Sequence, residues 1–136
     1  IGDDSKFSPV LAQRVIVAVG NNAIRARLQA EFHSRGAKFA TLVSPNAVFS
    51  RFATAGPGSV ILPGACINAF TTLGEGVVVN TGAIVEHDCV VGDFAQVGPG
   101  ATLSGGVRIG SRTCLLSQLA APDDLPCLHL VVAGII

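Results

Sequence analysis

The chain has 136 residues, 49% of them hydrophobic, with nine basic and nine acidic residues and a formal net charge of zero. That length fits one domain, or a small unit joined to a repeat array. The balanced charge argues against an electrostatic surface for nucleic acid or membrane. In chain order, the sequence opens on Ile1 rather than Met, as a fragment or a processed chain would. Asp3-Asp4 reads as a turn or as a holder of a ligand hydroxyl. Val15-Ile16-Val17-Ala18-Val19 is a continuous apolar run, the pattern of a buried strand. Gly20-Asn21-Asn22 comes next, and an Asn there can cap a helix. The same turn, at a helix N-terminus, is also suited to a phosphate. Ile24, Leu28 and Phe32 recur at helical spacing, with Arg27 and Glu31 four apart on another face. Gly36 is placed to end the helix in a left-handed cap. Lys38 to Val43 reads as a second strand. Strand, helix and strand make a βαβ unit with parallel strands, which fills residues 1–42 as a partial α/β unit. The unit is expected to cover the first end of a repeat array that starts at Val43.

From Val43 to Leu115 an aliphatic residue returns at every sixth position, with a single lapse: Val43, Phe49, Ala55, Ile61, Ile67, Leu73, Val79, Val85, Val91, Val97, Leu103, Ile109 and Leu115. Two places before each sits a small residue, as at Ser59, Ala65, Thr71, Ala83, Cys89, Ala95 and Ala101. A period of six is the mark of a parallel β-helix, in which each hexad forms one side of a prism and three hexads form one triangular coil. Residues 43–115 therefore hold about four coils. The aliphatic residue fills the axis, and the small one lets the chain turn in beside it. Glycines and polar residues gather just after the aliphatic position, at Asn68, Gly74, Asn80, Glu86, Gly92, Gly98, Ser104 and Gly110. These are corners, where tight or left-handed backbone is expected. Trp, Tyr and Met are absent, as a narrow interior would require. After Arg112 the texture changes. Leu116, Leu119 and Leu125 break the pattern, Pro122 to Pro126 suggest a loop, and residues 116–136 read as an irregular tail or cap.

A filled prism has no room for a reaction, so chemistry must sit on the outer wall, at corners or between copies of the chain. The histidines are His33, His87 and His129. His33 lies near the helix C-terminus, where the dipole accounts for it. His87 stands in Glu86-His87-Asp88, two places after inward Val85, in a slot otherwise held by residues such as Thr81, Asp93 and Ser111. It therefore points outward between two carboxylates. One reading is a solvated surface histidine beside acids. The other is a general base whose tautomer a neighbouring carboxylate fixes. Only one histidine falls in the array, so no metal site is expected. The cysteines at 66, 89, 114 and 127 form no CxxC pair, and Cys89 falls on an inward small position. A reducing, cytoplasmic compartment is expected. No signal peptide is visible, and the apolar run Leu128 to Ile136 is too short to span a bilayer.

The segments Gly2-Asp3-Asp4, Val17-Ala18-Val19-Gly20-Asn21-Asn22 with Arg25, and above all Val79-Asn80-Thr81-Gly82-Ala83-Ile84-Val85-Glu86-His87-Asp88-Cys89-Val90-Val91-Gly92-Asp93-Phe94 carry a resemblance. Over roughly its first 113 residues the chain resembles hexapeptide acyltransferases of the sialic acid O-acetyltransferase type. That type includes N-acetyltransferases of nucleotide-linked amino sugars, the NeuD/PglD family. The resemblance implies a left-handed parallel β-helix, an exception to the usual right-handed crossover. It also implies a homotrimer with acetyl-CoA in the groove between adjacent prisms. By the same likeness His87 is the general base, Asp88 the acid that orients it, and Glu86 the competitor for that role. Asn80, Gln96 and Gly105 fall beside the reaction centre and the coenzyme. Asp3, Asp4 and Asn21 fall in the part that receives the nucleotide sugar. Many members carry a second histidine where Gln96 stands; an amide can donate a hydrogen bond there but cannot become a cation.

The sequence thus points to an acetyl-CoA-dependent acetyltransferase acting on an amino or hydroxyl group of a sugar, without a metal. The rival reading is a non-catalytic β-helical scaffold or binding module derived from such an enzyme. A hexapeptide-repeat carbonic anhydrase would need three metal-binding histidines, and the array offers only His87.

Overall fold

In the computed structural model, residues 14–116 are described. The expectations on Asp3, Asp4, Cys127, His129 and the tail from 117 onward lie outside the described residues. The described residues are mainly β, as expected: among them one helix, α1 (Asn22–Ser34), precedes thirteen two-residue strands. These are β1 (Leu42–Val43), β2 (Val48–Phe49), β3 (Thr54–Ala55), β4 (Val60–Ile61), β5 (Cys66–Ile67), β6 (Thr72–Leu73), β7 (Val78–Val79), β8 (Ile84–Val85), β9 (Val90–Val91), β10 (Gln96–Val97), β11 (Thr102–Leu103), β12 (Arg108–Ile109) and β13 (Cys114–Leu115). They stack as three parallel sheets, ordered β1-β4-β7-β10-β13, β2-β5-β8-β11 and β3-β6-β9-β12. Every pairing joins residues eighteen apart, as in Leu42 with Val60 and Ile84 with Thr102. Three hexads therefore close one coil, and the array is the left-handed parallel β-helix expected from the sequence.

The second residue of each strand points inward. Ile61, Ile67, Val79, Val85, Val91 and Val97 are no more than 1% exposed and form one continuous core with the small residues at Ala65, Ala83, Cys89 and Ala95. Some of the small positions do more than leave room. The hydroxyls of Thr41, Ser59 and Thr71 and the thiol of Cys89 each donate to the carbonyl fifteen residues on, at Gly56, Gly74, Glu86 and Ser104. A buried polar group costs free energy unless bonded, and this recurrent bond lets a hydroxyl or thiol substitute for Ala on the axis.

The corners depart from the expected placement of left-handed backbone. Positive φ falls two positions later than the Gly and Asn residues singled out in the sequence, at Gly58, Gly64, Phe70, Gly76, Gly82, Asp88, Phe94, Gly100, Gly106 and Arg112. The earlier glycines answer a different need. A Cβ on Gly92 would lie 2.5 Å from Ser111 N, and one on Gly56 would lie 2.7 Å from Glu75 N. Those positions must be bare because the backbone of the next coil passes against them.

Helix α1 starts and stops as its sequence indicates. Asn21 Oδ1 accepts from Ala23 N and Ile24 N. At the other end Gly36 N donates to His33 O and Ala37 N to Phe32 O, with φ 88° at Gly36, a complete Schellman closure. The face it buries is not the expected one. Ile24 is 41% exposed, whereas Arg25 and Gln29 are buried. The expected strands also shrink: Val15 and Phe39 share a single parallel bridge, and only Leu42–Val43 of the second run joins a sheet.

Arg25 explains the reversal. Its guanidinium donates to the carbonyls of Gly76, Val19, Gly20 and Phe94 and to Asn22 Oδ1, so all five N–H groups are used. Burial lowers its pKa, but a guanidinium stays charged throughout the accessible pH range. Asn22 Nδ2 reaches Arg112 O and Thr113 O, and Gln29 Nε2 reaches Pro57 O. These carbonyls lie on one corner of successive coils. The helix therefore runs along a lateral edge of the prism and does not cover its first end, because it docks through polar side chains onto corner carbonyls. Leu42, Val43 and Val48 of the first coil are accordingly exposed.

Candidate active site

The corner between β8 and β9 carries Glu86-His87-Asp88. Asp88 sits in the left-handed region at φ 60°, and its amide donates to Ala69 O in the coil below. That conformation turns its carboxylate back onto the preceding residue, and Asp88 Oδ2 lies 2.8 Å from His87 Nδ1. A carboxylate only accepts, so Nδ1 carries the hydrogen, which in the neutral ring leaves the lone pair on Nε2. Both side chains are about 60% exposed, so the pair stands on the outer wall of the prism.

Gly105, one coil on, seats the ring. A Cβ there would lie 2.7 Å from His87 Cε1 and 2.8 Å from Nε2. The backbone locks the same corner, with Gly106 N donating to His87 O. Glu86 turns elsewhere: its Oε2 accepts from Asn68 Nδ2 at 2.9 Å, and its carbonyl accepts from Thr71 Oγ1. Of the two acids flanking the histidine, the structure pairs Asp88 with it. Cys89 faces the core and donates its thiol to Ser104 O; burial pushes that thiol up, away from the nucleophilic thiolate.

Asn80 and Gln96 lie apart from this corner. They belong to the sheet that starts at β1 and line a lateral cavity of about 290 Å³ with the segment Ile16 to Gly20. Asn80 Oδ1 accepts from Thr81 N. Asn21 spends its side-chain oxygen on the helix cap. A larger cavity of about 550 Å³ lies between α1 and the prism edge, lined by Gln29, His33, Lys38 and Glu75 among others. Within one chain the structure thus gathers His87, Asp88 and Gly105 at one corner, and Asn80 and Gln96 at another place. Among the described residues no three His, Cys, Asp or Glu side chains gather as a metal site, and no helix is long and apolar enough to cross a membrane.

Sequence reasoning missed the Arg25 clamp and the reason for Gly105. Arg25 stood among the residues that carry the resemblance, but nothing in the local pattern showed what it binds. The reason for Gly105 is visible only once residues eighteen apart are seen to share a corner.

Residues 70–105 match the family model for the bacterial transferase hexapeptide (six repeats). A comparison with curated protein sequences finds no match. Among solved structures, the chain is similar to the acetyltransferase domain of PglB from Neisseria gonorrhoeae FA1090, with 31% identity over 82% of this chain and 62% of that one and a TM-score of 0.70. It is also similar to PerB from Caulobacter crescentus in complex with CoA and GDP-perosamine, at 35% identity over 84% and 56% of the two chains and a TM-score of 0.79. WeeI from Acinetobacter baumannii AYE matches at 28% identity, 76% and 50% coverage and a TM-score of 0.71. The chain thus spans between half and two thirds of the length of each of these structures. The family model and the solved structures bear out the resemblance to hexapeptide-repeat sugar acetyltransferases read from the sequence.

Proposed function

We propose that this chain is an acetyl-CoA-dependent acetyltransferase acting on the amino group of a sugar carried by a nucleoside diphosphate, working as a cytoplasmic homotrimer. The observation that carries the reading is the exposed His87–Asp88 pair, 2.8 Å between Nδ1 and Oδ2, on a repeat array similar to acetyltransferases. The preference for an amine over a hydroxyl comes from likeness to a protein described as a GDP-perosamine N-acetyltransferase.

In this mechanism His87 is the general base. The acceptor nitrogen attacks the thioester carbonyl, and Nε2 takes its proton. The tetrahedral oxyanion needs donors, supplied by Asn80, Gln96 or the backbone at Gly105, and such stabilisation is usually a large term in catalysis. Collapse breaks the carbon–sulfur bond, and the imidazolium returns a proton to the leaving coenzyme A thiolate. Asp88 holds the tautomer and balances the charge on the imidazolium. Because Asn80 and Gln96 lie away from His87 in one chain, the reading assigns them to the groove formed with a second copy, where acetyl-CoA lies. Residues 1–42, with Asp3, Asp4 and Asn21, are the unit assigned to the nucleotide sugar, meeting its nucleoside end. Residues 43–115 carry the chemistry.

The test is coenzyme A release from acetyl-CoA in the presence of nucleoside-diphosphate amino sugars, GDP-perosamine among them. His87→Ala is expected to abolish release while circular dichroism and solution mass stay unchanged. Retained turnover would remove the assignment. A wild-type chain that stays monomeric and binds no acetyl-CoA would instead be the non-catalytic module.

A further inference from the structure

We propose that Phe70, Phe52 and Arg51 form an acceptor-binding ladder beside His87, Phe70 taking the apolar face of the sugar ring and Arg51 the diphosphate. This inference rests on the acetyltransferase reading and states where its acceptor binds. Residues eighteen apart share a corner, so Arg51-Phe52, Ala69-Phe70 and His87-Asp88 stand in one column. Asp88 N bonded to Ala69 O, and Thr71 Oγ1 bonded to Glu86 O, fasten the upper two rungs together. Phe70 (φ 61°) and Asp88 (φ 60°) hold equivalent left-handed positions in successive coils, about 4.8 Å apart.

Phe70 is anomalous on two counts. Its backbone position is one that glycine fills at most corners, and the residue is 64% exposed. Two of the other left-handed residues use their side chains within the fold. Asp88 holds His87, and the Phe94 ring packs over Gly76. Phe70 meets Phe52, itself 53% exposed, with ring centroids 5.5 Å apart and planes at 27°. Arg51 Cζ lies 4.7 Å from the Phe52 ring centroid and completes the stack. Strain and an exposed aromatic pair next to a catalytic corner point to a ligand.

The chemistry of the column matches a nucleotide sugar in order and in charge. The negative face of an aromatic ring attracts the C–H hydrogens on the apolar side of a pyranose. Arg51 makes no ion pair among the described residues and stands two coils, about 10 Å, from His87. A guanidinium there is suited to two phosphates in bidentate fashion. With the amine at Nε2, the ring lies on Phe70 and the diphosphate reaches Arg51. A second copy of the chain is the competing occupant, and the solution mass of Phe70→Asn separates it from the sugar.

The experiment uses the full chain with UDP-linked and GDP-linked amino sugars and with UDP and GDP alone, measuring calorimetric binding, both KM values and solution mass. Asn tolerates left-handed backbone, so Phe70→Asn keeps the corner. It is expected to raise the KM for the nucleotide sugar at least tenfold, leave the KM for acetyl-CoA unchanged, and spare binding of the free diphosphates. Phe70→Tyr should restore binding. Arg51→Gln should weaken nucleotide sugars and free diphosphates alike. Acetyl transfer with unchanged sugar KM in Phe70→Asn and Arg51→Gln overturns the ladder and spares the acetyltransferase reading. Ladder-dependent sugar binding without any transfer supports the ladder and overturns that reading. Absence of binding to every probe overturns both. Loss of assembly in Phe70→Asn makes the rings a contact between copies and overturns the ladder.

Discussion

Asp88 and Glu86 flank one imidazole, yet only one of them reaches it. The difference is set by backbone: left-handed Asp88 folds its carboxylate back onto His87, while Glu86 extends to Asn68 in the neighbouring coil. Asp88→Asn leaves a residue that accepts the same φ but removes the charge that fixes the tautomer. Its kcat is expected to fall on the order of 10²-fold or more with fold and KM for acetyl-CoA retained. Glu86→Gln should keep kcat within about threefold and lose roughly 1 kcal/mol of stability through its weaker bond to Asn68. Steady-state kinetics and urea unfolding of the two variants separate the roles. Equal losses of kcat in both would refute the assignment of Asp88.

At the scale of the element, α1 is held by polar groups where an apolar stripe was expected. Arg25 is 1% exposed and bonded entirely to carbonyl oxygens, with no carboxylate among its partners. Its charge is compensated by oriented dipoles at a helix start and at two corners. Arg25→Ala would leave those carbonyls without donors, and a loss of about 3 kcal/mol is expected. Arg25→Lys should recover only part of it, since an ammonium cannot span the same five acceptors. Amide exchange across α1 measures the effect locally. Unchanged protection in Arg25→Ala would show that apolar contacts hold the helix instead.

For the whole molecule, the prism behaves as a stack whose end coil is less buried than its middle. Val79 is fully buried within the array, whereas Val43, the equivalent position two coils earlier in the same sheet, is 43% exposed. The same deletion should therefore cost different amounts. Val79→Ala removes buried methyls with no room to relax, about 2 kcal/mol or more, and Val43→Ala should cost well under half of that. Chemical unfolding of the pair decides. Equal costs would mean that the first coil is covered in solution, as an adjoining unit or a second copy would cover it.

Much of this protein was written in its sequence because a β-helix repeats locally. An inward aliphatic every six residues, with a small residue two places before it, fixes coil size and axis without any long-range information, so strands, core and the outward setting of His87 were all legible. So were both ends of α1, since Asn21 and Gly36 act within one turn of themselves. What lay eighteen residues away was not legible. That Asp88 rather than Glu86 pairs with His87, that Gly105 seats the imidazole, that Gly92 must be bare, and that Phe52 and Phe70 stack all depend on how adjacent coils register. The docking of α1 along an edge was decided the same way, by carbonyls of Gly76 and Phe94 that offer acceptors to Arg25 only after the coils have stacked.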